Sequence, residues 1–180
     1  MDIREQVVNL LKEKTEGVQE LSAEIRKLED RKKNDHLDAR YIQSDIEPKI
    51  GELRWQRRNR IDAAAVALRD LAEGHRQQIQ NSNRLKGEEL NDDARLFAFP
   101  GLLKPEDVEA IMDRNQGNHT VLQMAARYAE QNGMKINRVY DSGKAAAIAN
   151  VNDLEGAGKL YIDHWIDKEN ANEMLTKFFG

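Results

Sequence analysis

The sharpest chemical feature of the sequence is a basic cluster with an aromatic residue inside it. Arg54, Arg57, Arg58 and Arg60 enclose Trp55 within one short segment. Guanidinium groups neutralise phosphates and an indole ring stacks on bases, so the cluster is a candidate nucleic-acid interface. The same arginines, placed on a helix, would also pair with acids of a facing helix. We favour the second interpretation, because basic and acidic residues are nearly equal in number over the N-terminal part of the chain.

Other residue types that carry out chemistry do not form a convincing set. The histidines, which stand far apart in the chain, are His36, His75, His119 and His164. None has the H-x-x-x-H spacing of a helical metal site, and the adjacent Asp163 and His164 would point apart on a helix. The segment 156–159 (Gly-Ala-Gly-Lys) lacks the preceding strand and the full pattern of a phosphate loop. The sequence therefore predicts no enzyme activity, no metal and no cofactor.

Two apolar seams occupy the N-terminal part of the chain, and the helices that carry them would position the arginine cluster. The first seam consists of Val7, Leu11, Val18, Leu21, Ile25 and Leu28, and the second includes Ile50, Leu53, Ile61 and Leu68. Spacings of three and four residues recur along both seams, which is typical of long helices that pack as a coiled coil. Such seams join helices within one chain or between copies, and we predict that these residues mediate oligomerisation.

The two seams are separated by a segment that has the signals of a helix start. Residues 44–47 (Ser-Asp-Ile-Glu) have the form of a capping box, and Pro48 is tolerated in a first helical turn. These signals predict an antiparallel hairpin over 1–82 whose second arm begins near residue 44. The alternative is one continuous helix that is kinked at Pro48. In the hairpin, the arginine cluster would face acids of the first arm, namely Glu24, Glu29 and Asp30.

The remainder of the chain has a lower charge density and the pattern of several short helices. A polar linker over 83–95 is predicted to lead into a small helical domain over 96–180. In that domain, Pro105 starts one helix and Asn132-Gly133 ends the next. Further helices are predicted over 142–148, 154–166 and 171–179. No sustained alternation typical of strands is present, so the predicted class is all-α.

The most apolar segment of the chain opens this small domain. Its large side chains, together with a pair near residue 180, are Leu96, Phe97, Phe99, Leu102, Leu103, Phe178 and Phe179. They form either the core of the small domain or a surface that docks on a partner, since so small a domain has little core in which to hide them. Both interpretations stay open at this stage.

The composition limits the class of protein further. Of the 180 residues, 39% are hydrophobic and 33% are charged, a balance that suits long thin helices. The net charge of -4 argues against binding of polyanions by the whole chain. Cysteine is absent, and the sequence has neither a signal peptide nor an apolar run of about 20 residues, so we expect a cytoplasmic protein with no membrane partner.

The order of charged helical coil, polar joint and compact helical end resembles that of tailed-bacteriophage head-assembly and virion structural proteins. The segment 99–112 (Phe-Pro-Gly-Leu-Leu-Lys-Pro-Glu-Asp-Val-Glu-Ala-Ile-Met) is similar to parts of small phage-encoded proteins. The resemblance implies a non-enzymatic scaffold or structural component in the host cytoplasm or the virion. Such a protein would self-associate through its coil and contact a larger protein assembly through its small domain. The competing hypothesis is a nucleic-acid-associated protein that uses the arginine cluster.

Overall fold

The computed structural model describes residues 2–34, 38–82 and 84–180, and no strand occurs in these ranges. The predicted all-α class is confirmed. The helices are α1 (Ile3–Asn34), α2 (Ala39–Tyr41), α3 (Glu47–Ser82), α4 (Asp92–Leu96), α5 (Pro105–Arg114), α6 (His119–Gln131), α7 (Lys144–His164) and α8 (Ala171–Phe179). A π-helical turn (Ile42–Ile46) joins α2 to α3, and a 3-10 turn covers Gly87–Glu89.

The chain forms two compact units, and both boundaries between them fall inside a helix. Unit 1 comprises Met1–His75 and Asn150–Gly180, whereas unit 2 comprises Arg76–Ala149. The predicted boundaries differ from this division, because the C-terminal segment belongs with the hairpin and not with the rest of the predicted small domain. The predicted linker over 83–95 contains a 3-10 turn and most of α4, while residue 83 lies outside the described residues.

In unit 1, α1 and the arm that follows it form the predicted antiparallel hairpin. The buried side chains of their shared seam near the turn are Leu21, Ile25, Ile46, Ile50 and Leu53. An ion pair crosses at the edge of this seam, where Lys32 Nζ lies 2.5 Å from Glu47 Oε1. The apolar stripe thus faces inward and charged side chains flank it, as is usual for an amphipathic helix.

The second arm begins earlier than the sequence predicts. Asp38 caps it, since its carboxylate accepts a hydrogen bond from the backbone N–H of Arg40 at 2.8 Å. The chain then continues through α2 and the π-helical turn into α3, so residues 44–47 lie within a helical stretch and are not a capped start. The wider turn comes before Pro48, whose ring cannot follow the regular helical hydrogen-bond pattern. Of the two predicted alternatives, the structure contains the hairpin, whose second helix is bent.

The C-terminal helices complete the core of unit 1. Tyr161 of α7 is fully buried, and its hydroxyl oxygen lies 2.7 Å from Thr15 Oγ1 of α1. Gly158 of α7 is also buried and lies against Leu68 of α3, whose Cδ2 would be 2.7 Å from an added Cβ. Helix α8 packs along α1. A two-helix hairpin leaves part of its apolar face open, and these helices cover it.

Helix α7 is longer than predicted. The sequence predicts separate helices over 142–148 and 154–166, but one helix runs from Lys144 to His164. Three polar residues between the two predicted helices, Asn150, Asn152 and Asp153, are exposed on this helix. Solvated polar side chains destabilise a helix only slightly, because each lowers the stability of the helix by well below 1 kcal/mol relative to alanine.

Unit 2 is built around α5 and α6. Its buried side chains are Ala94, Leu103, Val108, Ile111, Met112, Val121, Ala125, Tyr128 and Ala129. As predicted, α5 starts at Pro105, and α6 ends before Gly133, whose φ of 64° suits a helix C-terminus. Asn118 caps α6 by accepting a hydrogen bond from the backbone N–H of Val121 at 3.1 Å. Local start and stop signals therefore determine both helices.

The substitution Gly158→Ala tests the close approach of α7 to α3. A methyl group there would meet the buried side chain of Leu68, whereas an added Cβ at Gly156 of the same helix has nothing within 4 Å. We expect Gly158→Ala to lower the free energy of unfolding by about 1–3 kcal/mol, as overpacking does. Gly156→Ala, the matched control, should raise it by up to ~1 kcal/mol through helix propensity. Urea denaturation followed by far-ultraviolet circular dichroism measures both, and equal stabilisation by the two substitutions would contradict the close contact.

Candidate protein interaction site

The predicted oligomerisation residues lie inside unit 1. The exposed fraction is at most 7% for Val7, Leu11, Val18, Leu21, Ile25, Ile50, Leu53 and Leu68, and Leu28 and Ile61 are half-buried. Within the single chain, these side chains contribute to the packing of the unit itself. Contacts between copies through the same atoms would require the helices to separate. The role of these residues in oligomerisation stays a prediction.

The arginine cluster is divided among several partners in unit 1. Arg54 Nη2 lies 2.6 Å from Glu29 Oε1, which confirms the expected pairing with an acid of the first arm. Arg60 Nη1 donates a hydrogen bond to the backbone carbonyl oxygen of Gly17 at 2.8 Å. Arg57 faces a carboxylate of the segment between α7 and α8. Arg54 and Arg60 therefore serve hydrogen-bonded contacts within the chain, whereas Arg57 has only a long ion pair.

Trp55 and Arg58 are the members of the cluster that have no hydrogen bond or ion pair within the described residues. The Trp55 side chain is 65% exposed, and Arg58 is exposed one turn further along α3. Strong binding to a nucleic-acid backbone needs several free cations that neutralise successive phosphates. The nucleic-acid role of the cluster stays a prediction. Fewer of its arginines are free to contact phosphates than the sequence suggests.

The apolar patch is partly core and partly surface. The buried or half-buried members of the predicted partner-binding set are Leu96, Phe97, Leu103, Phe178 and Phe179. Phe99 and Leu102 are exposed instead, by 59% and 56%. These two side chains are therefore the accessible part of the predicted partner-binding set, and both belong to unit 2.

Phe99 and Leu102 are the two ends of a tight turn, here called the apolar turn (Phe99–Leu102). The backbone N–H of Leu102 donates to the carbonyl oxygen of Phe99 at 3.3 Å, and Gly101 has a φ of 73°. Proline at the second position and a glycine with positive φ at the third are the features of a type II turn. Glycine adopts this conformation without the steric cost that a Cβ would impose. The sequence Phe-Pro-Gly-Leu thus forces the chain to reverse at this point.

Tyr128 of α6 anchors the apolar turn from inside unit 2. Its side chain is 3% exposed, and its hydroxyl donates to the carbonyl oxygen of Phe99 at 3.0 Å. The same hydroxyl accepts a hydrogen bond from the backbone N–H of Leu103 at 3.2 Å. The ring of Phe97 packs on the ring of Tyr128, with 5.5 Å between centroids. The segment that Tyr128 anchors is distant from it in the chain, so the sequence contains no local signal of this anchoring role.

A polar network holds the segment that leads into the apolar turn. Asp93 accepts hydrogen bonds from Arg114 Nη2 and Asn115 Nδ2, both at 2.8 Å, and these bonds lower the pKa of its carboxyl. Glu89 accepts from Thr120 Oγ1 at 2.6 Å, which is the main cause of the lowered pKa of Glu89. Donors of this kind favour the ionised form of a carboxyl. The chain before the turn is thus tied to α5 and α6 by side-chain contacts.

The histidines do not assemble into a metal site in the part of the chain that the structure describes, where no three His, Asp or Glu side chains converge. His75 Nε2 lies 3.3 Å from Gln6 Oε1, and His119 Nδ1 lies 3.3 Å from the hydroxyl of Tyr140. His36 lies outside the described residues. None of the helices within those ranges combines the length and low polarity that a membrane span requires.

No known protein family, curated protein or solved structure matches the chain. These comparisons bear neither on the resemblance to tailed-phage proteins nor on enzymatic activity, and both expectations stay predictions. Function is therefore inferred from the apolar turn, its Tyr128 anchor and the network that positions them.

The lowered pKa of Glu89 predicts a pH dependence in unit 2. A carboxyl with a depressed pKa contributes stability above its unfolded pKa, near 4.5, and loses it as the pH falls through the folded pKa. We expect Glu89→Gln to speed hydrogen exchange of the α6 amides at pH 7, and this difference from the wild type to shrink as the pH falls through the folded pKa of Glu89. The exposed neighbour Glu88 provides the control Glu88→Gln. Equal effects of the two substitutions at pH 7 would show that the contact of Glu89 with Thr120 contributes nothing.

Proposed function

We propose that this protein is a non-enzymatic assembly protein that docks on another protein through the apolar turn. The observation that carries the proposal is the exposure of Phe99 and Leu102 on a turn whose backbone is held by the buried Tyr128. Single exposed apolar residues are common on protein surfaces. A pair that includes an aromatic ring and stands on an anchored turn favours a contact surface, because aromatic anchors dominate many interfaces.

The anchoring of the turn has an energetic consequence for binding. A segment that is already ordered loses little conformational entropy when it docks, so more of the contact energy appears as affinity. Burying each of the Phe99 and Leu102 side chains would contribute about 1.5–3 kcal/mol. That free energy is typical of a modest single contact. Such contacts bind more tightly in an assembly, where many copies act together.

Unit 1 uses its seams for internal packing and carries mixed charges outside, such as the exposed pair of Lys49 and Glu24. We propose that copies of the protein also associate through exposed surfaces, because the seam side chains are already packed within the chain. The resemblance to tailed-phage head proteins gives the biological setting of this proposal, a virion or the scaffold on which it forms.

A photo-crosslinking amino acid at position 99 tests the partner contact in the cells that naturally make the protein. The matched control places the same amino acid at position 139, since Val139 is 88% exposed in the same unit. We expect a covalent adduct from position 99 and little or none from position 139. An adduct of two copies would identify self-assembly, and an adduct with a different protein would identify a separate partner. Equal yields from the two positions, or no adduct from position 99, would contradict the proposal.

Two further substitutions, made in the chain with the crosslinker at position 99, separate the apolar surface from its anchor. Leu102→Ser removes apolar surface and leaves the backbone hydrogen bonds of the turn in place, so we expect the adduct yield to fall ~10-fold. Tyr128→Phe keeps the apolar surface but removes the anchoring hydroxyl, and should lower the yield by a smaller factor. Val139→Ser should leave the yield unchanged. Circular dichroism confirms that each variant is folded, and an unchanged yield in folded Leu102→Ser would refute the role of the turn.

A further inference from the structure

A second surface of the protein is a polar groove in unit 1. It lies between α1, α3 and the segment that joins α7 to α8, and its volume is about 310 Å³. The cations that line it are Arg26, Arg54, Arg57 and Lys168, and three carboxylates accompany them. Four positive charges against three negative charges leave one positive charge uncompensated. The groove therefore has an electrostatic preference for an anion.

Two of the four cations are hydrogen-bonded to carboxylates of the groove. Arg54 Nη2 lies 2.6 Å from Glu29 Oε1, within hydrogen-bond distance. Arg26 Nη1 donates to a carboxylate oxygen of Glu169. Both pairs have the charge-assisted contact that stabilises a guanidinium beside a carboxylate. These two arginines flank the groove and leave the remaining carboxylate, Asp167, to serve the other two cations.

Asp167 satisfies Arg57 and Lys168 only loosely. Its carboxylate oxygens lie 3.9 Å from Arg57 Nη1 and 3.7 Å from Lys168 Nζ. Both distances are too long for a hydrogen bond. Within the described ranges, neither of these two cationic side chains donates a hydrogen bond to any other group. Arg57 and Lys168 thus line the groove with side-chain donors that have no acceptor among the described residues.

The groove also contains a buried hydroxyl group. Ser22 is 4% exposed, and its Oγ has no hydrogen-bond partner among the described residues. A helical hydroxyl commonly donates to the carbonyl oxygen four residues earlier, as Thr15 Oγ1 does to Leu11 at 2.7 Å. Buried hydroxyl groups in folded proteins almost always have a partner. An acceptor from outside the chain would satisfy Ser22.

We propose that this groove binds a phosphate group, either free phosphate or a phosphomonoester, through Arg57, Lys168 and the hydroxyl of Ser22. The planar fork of an arginine side chain matches two oxygens of a phosphate, and an ammonium group adds a point charge. The Ser22 hydroxyl supplies a neutral donor from the floor of the groove. The groove is open at its mouth, so the group that carries a phosphomonoester remains outside. This site is independent of the apolar turn, which belongs to unit 2.

Asp167 allows the proposed site to be distinguished from a merely structural cluster, because removal of its charge should strengthen phosphate binding. Its carboxylate competes with phosphate for the same two cations, at distances that make it a weak competitor. Replacement by asparagine removes the competing charge and the repulsion between the carboxylate and the incoming anion. The variant Asp167→Asn should therefore bind phosphate more tightly than the wild type, although it loses two ion pairs of the folded chain.

Isothermal titration calorimetry of the intact protein with inorganic phosphate, at an ionic strength held constant with sodium chloride, tests the proposal. We expect saturable binding that Arg57→Ala weakens at least ~10-fold, the effect of losing a hydrogen bond to a charged group. Ser22→Ala should weaken it ~3- to 10-fold without lowering the thermal midpoint, since it removes a buried hydroxyl that has no partner. Asp167→Asn should strengthen it. Arg69→Ala, on the same helix but outside the groove, is the control and should leave the Kd unchanged.

The source of the phosphate is determined by parallel titrations with a nucleoside monophosphate and a phosphoserine peptide. Esters that bind as tightly as inorganic phosphate would assign the site to phosphomonoesters, and binding of inorganic phosphate alone would assign it to the free ion. Absence of saturable binding at millimolar phosphate would overturn the proposal. So would a Kd that is the same in the wild type, Ser22→Ala and Asp167→Asn, because binding would then not involve the groove.

Discussion

A buried hydrogen bond between Tyr161 and Thr15 fixes α7 on α1 in unit 1. Both side chains are fully buried, although they are far apart in the sequence. Thr15 Oγ1 donates to the carbonyl oxygen of Leu11, so the Tyr161 hydroxyl is the donor to Thr15. Burial raises the pKa of Tyr161 and keeps the hydroxyl neutral, the form that can donate. With α7 fixed on the hairpin in this way, the segment around Asp167 comes beside Arg57.

Unit 2 uses a tyrosine in the same manner. The ring of Tyr128 fills the core between α5 and α6, and its hydroxyl satisfies two backbone groups of Phe99 and Leu103. Tyrosine suits this task because a large apolar ring stabilises a core while a single polar atom requires a partner. In each unit, one buried tyrosine hydroxyl therefore holds together parts that are distant in the sequence, α7 and α1 in unit 1 and α6 and the segment 99–103 in unit 2. The two candidate surfaces depend on these two contacts.

The parts of the fold that the sequence predicts are those with short-range signals. The seams, the helix start at Pro105 and the helix end at Gly133 follow from spacing, caps and backbone preference, and the structure contains them. The pairing of Arg54 with Glu29 follows from the antiparallel hairpin. The return of α7 and α8 to unit 1 does not follow, because the contact of Tyr161 with α1 has no local pattern. The capping-box pattern before Pro48 predicts a new helix wrongly, since a π-helical turn lets the chain continue.

The candidate sites depend on which members of a pattern face outward, and periodicity alone does not determine this. Phe97 and Phe99 are both apolar and two residues apart, yet the turn at Gly101 directs the chain so that one ring packs on Tyr128 and the other is exposed. Arg54 and Arg57 also share one helix, but the acid that reaches hydrogen-bond distance of Arg54 comes from α1, while the acid near Arg57 comes from the segment after α7. That segment holds its acid further from the guanidinium, and the resulting unsatisfied donors give the groove its preference for an anion. Whether a cation in this chain stays free therefore depends on how distant segments pack against it. For this reason, a cluster of arginines in the sequence overstates the positive charge that remains available for binding.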